Sequence, residues 1–157
     1  MQSRDLKAFL DEKATAYEKY TFLEDDPISI PHQFSKKEDI EISGFLVATI
    51  AWGNRLSILK SGKRMMELMG NDPYHFVLNH TSKDLKTLST FVHRTFNGID
   101  FSYFVRALQH IYLNHEGLEI AFSQNPKAER MDENIAHFKT LFFDLEHSSL
   151  FIMLMQH

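Results

Sequence analysis

"SKKEDIEISGFLVATIAWGNRLSILKSGKRMMELMG", residues 35–70, decides how the rest of the chain is read. Its first half opens with Ser35 and Glu38 in the S-x-x-E register of a capping box. Ile40, Ile42, Phe45, Leu46, Val47, Ile50 and Ala51 follow, which predicts a helix apolar on most sides and therefore central to the fold. Gly53 is expected to end it and Asn54 to cap a second helix. Leu56, Leu59, Met66 and Met69 of that second helix are expected to face inward, as far as Gly70. Two helices joined by so short a turn make a helical hairpin. Gly44, within the first of them, reads as a site of close helix packing.

Working toward the N-terminus, "TFLEDDPISIPHQF" (21–34) holds Pro27 and Pro31 and cannot be helical throughout, because proline lacks an N–H and disfavours helical geometry in the residue before it. Asp25 and Asp26 read as a turn start rather than a catalytic carboxylate pair. Before them, Leu6, Phe9, Leu10, Ala16, Tyr17 and Tyr20 recur at helical spacing and predict an amphipathic helix with Ser3 as its cap. The opening residues have no apolar core of the signal-peptide kind.

Toward the C-terminus, "NDPYHFVLN" (71–79) repeats a start signal, Asp72 capping and Pro73 at the first helical position. A helix over "SKDLKTLSTFVHRTF" (82–96) is expected next, then a break at Asn97-Gly98 and a helix capped by Asp100 or Ser102 with Phe104, Leu108, Ile111 and Tyr112 on one face. The last helix is expected within "AERMDENIAHFKTLFFDL" (128–145). No period-2 run is bounded by turn residues, so no strand is expected. The prediction is an all-α fold of six or seven helices forming one domain over residues 1–157.

The chain has no cysteine, which removes thiolate chemistry, cysteine zinc sites and disulfides, and suits a reducing cytoplasm. The longest apolar run in a helix, residues 45–52, is too short to span a bilayer. Net charge is −4, but its distribution is uneven. Residues 1–26 carry 4 Lys+Arg against 7 Asp+Glu, residues 27–115 carry 10 against 7, and residues 116–157 carry 3 against 7. Only the middle is basic, and its densest piece is "NRLSILKSGKR" (54–64), with Arg55, Lys60, Lys63 and Arg64 and no acid.

Two readings of "WGNR" (52–55) stand side by side. In one, the unsatisfied N–H groups and positive dipole end of a helix starting at Asn54, with Arg55, Lys60, Lys63 and Arg64, face phosphate. In the other, Trp52 fills the core, Gly53 makes a turn and the lysines form a solvated face. "FVHRTFNGIDF" (91–101) adds His93 and Arg94 among apolar residues, where they face solvent, cap something or line a site; alternatively Arg94 lies along the aromatics and pairs with Asp100. The nine histidines include no H-x-x-x-H or H-E-x-x-H pair, and His110 and His115, five apart, are expected on different helix faces, so no metal site and no cofactor are assigned. A candidate pocket is drawn around His32, Trp52 and His93, with Arg94, as the centre of a small-molecule enzyme.

The motifs "DPISIPHQF", "DIEISGFLVATIAWGNRLSIL", "DPYHFV", "FVHRTFNGIDF" and "FVRAL", in that order over roughly residues 17–145, resemble a family of bacterial proteins of unknown function. Such proteins are similar in turn to the helix-hairpin-helix DNA glycosylases. The resemblance implies an apolar helix, a polar turn and a second helix as the first half of a helical domain, with the turn, here Asn54 and Arg55, near DNA. Longer members continue into an Arg-rich segment and a hairpin bearing a catalytic-type Asp; this chain has no counterpart, so no catalytic residue is assigned and no glycosylase activity is expected. What remains is weak nucleic-acid binding by Asn54, Arg55, Lys60, Lys63, Arg64 and Arg94. The apolar end "LFIMLM" (150–155) supports an alternative, a protein-interaction or oligomerising domain that uses Phe151, Ile152 and Leu154.

Overall fold

The computed structural model describes residues 3–17, 23, 25–123 and 130–146. Among these are eight α-helices, three short 3-10 turns and one two-stranded ribbon. The helices are α1 (Ser3–Tyr17), α2 (Lys37–Thr49), α3 (Arg55–Leu68), α4 (Pro73–Asn79), α5 (Ser82–Thr87), α6 (Gly98–Asn114), α7 (Leu118–Ser123) and α8 (Met131–Phe142). The expected tail contacts of Phe151, Ile152 and Leu154 lie outside the described residues, as does Tyr20 of the first predicted helix. No helix among the described residues is long and apolar enough to cross a membrane.

The proline-rich entry folds as two 3-10 turns, Pro27–Ser29 and Pro31–Gln33. Asp26 starts the first by accepting the Ile28 N–H at 3.0 Å, which leaves Ile30 between the turns with no solvent exposure. The capping box expected from Ser35 and Glu38 does not form. Lys36 takes the cap position of α2 without a side-chain bond, and Glu38 and Asp39 in the first turn complement the helix dipole instead. Asp39 is buried because its carboxylate reaches across to accept the Tyr74 N–H at 2.9 Å, capping α4 from a different helix. Asp72 also caps α4, accepting the His75 N–H at 3.3 Å, with Pro73 at the first position as expected.

Helix α2 buries Ile42, Leu46 and Val47, and Ile50 just beyond its end. It stops at Thr49, before the predicted glycine, and a loop of five residues, 50–54, follows. In α3 the buried side is Ile58, Leu59, Met65 and Met66, with Met69 just beyond. Leu56, expected inward, is 72% exposed, since the first turn of α3 projects past the core.

The helix predicted over residues 82–96 is instead three pieces. Thr81 and Asp84 form a reciprocal capping box, α5 lasts six residues, and a 3-10 turn over Leu88–Thr90 leads into an antiparallel ribbon. Strands β1 (Val92–His93) and β2 (Phe96–Asn97) pair Val92 with Asn97 and His93 with Phe96. Alternation then sends Val92 outward and His93 inward. Asn97, rather than Asp100 or Ser102, caps α6; its side chain accepts the Ile99 N–H while Asp100 accepts the Asn97 N–H at 2.8 Å.

Helix α6 is the centre of the core. Phe101, Tyr103, Phe104, Val105, Leu108 and Ile111 are all buried. The Phe104 ring meets Phe142 of α8 at 4.9 Å, Phe96 of β2 at 5.2 Å and Phe45 of α2 at 6.0 Å. The amphipathic stripe of α1 does form, but Leu6, Phe9, Leu10 and Tyr17 remain exposed.

Glycines separate into tolerant and intolerant positions. A Cβ on Gly44 would meet only Pro31, at 3.9 Å, so the expected close packing is absent there. On Gly98 it would lie 2.5 Å from the Leu88 carbonyl oxygen and the Ser89 Cα, both backbone. Gly98→Ala is therefore expected to destabilise the fold by about 1–3 kcal/mol. Gly44→Ala should be neutral or stabilising by up to about 1 kcal/mol through helix propensity. Urea unfolding of the two variants beside wild type measures both.

Candidate functional site

The loop between α2 and α3, residues 50–54, and the tip of the β1–β2 ribbon meet at one surface. The loop leaves α2 through the hydrogen bonds of Ala51 to Ala48 and Trp52 to Ile50, at 3.1 and 2.8 Å. Gly53 then adopts a φ of 105°, which an L side chain rarely enters, and Asn54 caps α3 by accepting the Ser57 N–H at 3.2 Å. Above Gly53 lies the guanidinium of Arg94, so close that a Cβ on the glycine would collide with it. The turn requires glycine, and a side chain in its place would also push the Arg94 guanidinium aside.

Arg94 holds a φ of 56° at the first position of the two-residue ribbon loop. That left-handed geometry is costly without a special side chain, and asparagine or glycine is its usual occupant. The strained backbone aims the side chain at Trp52, whose ring centroid lies 4.9 Å from the guanidinium carbon. Trp52 is 39% exposed and so does not fill the core. Nor does Arg94 take the place beside Asp100 that the sequence offered it, since Asp100 is buried as part of the α6 cap.

His93, predicted to lie on a helix, is instead in β1 and 3% exposed. Its Nδ1 shares a hydrogen bond of 2.8 Å with the Ser61 hydroxyl of α3, its ring stands edge-on to Trp52 at 6.2 Å, and its Nε2 is buried without a hydrogen-bond partner among the described residues. Ser61 went unnoticed in the sequence because a lone helical serine has no periodic signal.

Of the cations assigned to phosphate, Arg55 begins α3, while Lys60, Lys63 and Arg64 lie on its outer side, all exposed. Their spacings of three and four place them on neighbouring turns of one face. Arg64 pairs with Glu67 at 3.1 Å, an exposed bridge of small energetic weight. The geometry therefore joins Trp52, His93 and Arg94 to the start of this basic helix. His32 does not share in the contacts that unite them: it is exposed on the Pro31–Gln33 turn. His110 and His115, expected on different faces, come together with ring centroids 5.2 Å apart because α6 ends at Asn114 and His115 folds back as its cap. Among the described residues no three His, Asp or Glu side chains are grouped as metal ligands.

A second concavity, about 120 Å³, lies between α2, α4 and the end of α6 and is lined by Lys37, Glu38, Glu41, Tyr74, Tyr112, Glu116 and Glu119. It reads as a clasp. Tyr112 donates to Glu41 at 2.7 Å, and Lys37 bridges Glu41, at 3.7 Å, and Glu119 of α7. Burial first, and then the Glu41 carboxylate, push the Tyr112 hydroxyl above the ordinary tyrosine range.

Two outcomes follow. The folded state keeps the Tyr112 proton that the unfolded chain releases near pH 10, so stability is full below about pH 10 and declines as pH rises above it. Tyr112→Phe should make that decline shallower in chemical unfolding followed across pH 8 to 11. Ser61→Ala should cost about 1–3 kcal/mol, because it leaves a second nitrogen of His93 buried without its partner; thermal or urea unfolding reads the loss.

No curated protein and no solved structure matches the chain. A family model described as "Protein of unknown function (DUF2400)" matches residues 26–156, a span that takes in every helix from α2 to α8 and the whole Trp52–Arg94 surface. The chain belongs to the DUF2400 family, whose function is unknown.

Proposed function

We propose that this protein is a helical nucleic-acid-binding module that contacts the phosphate backbone weakly and in a salt-sensitive way, through the N-terminus and outer face of α3. The observation that carries the reading is the mainly basic outer face of α3: Lys60, Lys63 and Arg64 are exposed together with one acid, Glu67 paired to Arg64, and Arg55 stands at the start of the helix with Arg94 placed over the loop before it. The N-terminal N–H groups of a helix of this length add a fixed positive end, of which the Asn54 side chain occupies one, the Ser57 N–H. The sequence resemblance to helix-hairpin-helix DNA glycosylases favours the same surface, because on that reading α2, its turn and α3 would take the place of the helix pair whose turn lies near DNA. A net charge of −4 keeps such binding weak and local, since only residues 27–115, with 10 Lys+Arg against 7 Asp+Glu, carry a net positive charge.

Fluorescence anisotropy with labelled single- and double-stranded DNA, at low and at physiological salt, tests this. Binding is expected to fall linearly in log K against log salt. Arg55→Ala with Lys63→Ala should weaken it and make the slope shallower by about 2, roughly 0.9 for each phosphate contact removed on duplex. Absence of binding at low salt refutes the reading.

A further inference from the structure

Trp52 is the only tryptophan of the chain, and it lies at the surface, 39% exposed, rather than in the core. Three separate features hold it there. His93 stands edge-on against it from the buried side. Gly53, with no side chain, leaves room for a flat group above the loop. Arg94, set in a left-handed conformation that arginine seldom adopts, places its guanidinium carbon 4.9 Å from the ring centroid. A cation–π contact at an exposed site contributes only about 0.5–1 kcal/mol, comparable with the backbone cost of holding Arg94 there, so packing alone gives little reason for the arrangement.

We propose that Trp52 and Arg94 form a stacking clamp for one unpaired nucleobase of a single-stranded or locally opened nucleic acid: the guanidinium, which lies against the indole in the structure, swings off the ring on its flexible side chain to admit the base between them. This rests on the nucleic-acid reading above and extends it from phosphates to bases. An indole and a guanidinium are both planar and both stack on the π-face of any base, so the clamp is tolerant of sequence. Bases inside a duplex have both faces covered by their neighbours; an unpaired one offers its face to the indole. The surroundings match a polyanion rather than another flat ligand: Asn54 and Arg55 follow Trp52 after Gly53, and Lys60, Lys63 and Arg64 continue the positive surface along α3. A cationic ligand of the kind that aromatic cages take is disfavoured, because Arg94 already puts a positive charge over the ring.

Because Trp52 is the sole tryptophan, its emission reports on this site alone. The experiment titrates the full chain with a short oligothymidylate and with its duplex with oligoadenylate, reading both intrinsic fluorescence and the anisotropy of a labelled strand. The expected result is quenching of Trp52 by the single strand and tighter binding of the single strand than of the duplex. Trp52→Ala should lose about five- to hundredfold in single-strand affinity with the salt slope unchanged, and Trp52→Phe should retain part of it. Circular dichroism of each variant checks that its helices are intact, which is expected for a partly exposed position. Anisotropy that shows binding while Trp52 is unquenched and Trp52→Ala binds like wild type overturns the clamp and leaves the phosphate reading standing. Equal affinity for duplex and single strand also overturns it. No binding of either at low salt overturns both.

Discussion

The structure depends on the burial of Phe104. Its ring is the point at which α2, the β1–β2 ribbon, α6 and α8 meet, through Phe45, Phe96 and Phe142. Aromatic pairs of this kind contribute through the area they remove from water and, to a lesser degree, through edge-to-face geometry. The consequence is positional. With Phe96 anchored in this cluster and paired with His93, the two-residue loop between them can only project toward the α2–α3 junction. Arg94 reaches Trp52 because a phenylalanine two residues later is held in the core.

The same geometry accounts for the split roles of two adjacent residues. His93 points inward to Ser61 and Arg94 outward over Trp52, because successive residues of a strand face opposite ways and the loop begins between them. The histidine makes a polar tie between the ribbon and α3. The arginine is left on the surface. A site assembled in this way joins Trp52 to His93 and Arg94, which come from separate parts of the chain.

Local signals in the sequence were reliable where one side chain acts on its own neighbours. Asp72 with Pro73 and Asn54 each start a helix where expected, and Asp26 starts its turn, because each needs only a nearby N–H. Ser35 and Glu38 had the right spacing and failed, as α2 starts two residues after Ser35 and its first turn already carries Glu38 and Asp39 against the dipole. The longest error was the helix drawn through residues 82–96. Phe91, Val92 and Phe96 fit helical spacing, but Phe91 and Phe96 are buried from opposite ends of a turn, and strands of two residues are too short to show a period. Leu56 is misplaced in the same sense, as is Trp52 in the one of its two readings that buries it: apolar character argues for burial, and only the neighbours decide whether cover is available.

A mostly helical chain, the pairing of α2 and α3, the basic character of α3, and Asn54 as the cap of α3 are all legible in the residues alone, since composition, periodicity and capping are local properties. Tertiary structure alone decided that Trp52 is exposed, that His93 is buried against Ser61, and that Arg94 lies over the indole. Those placements follow from how Phe96 and Phe104 pack across four elements, and contacts between residues so far apart in the chain leave no spacing to read.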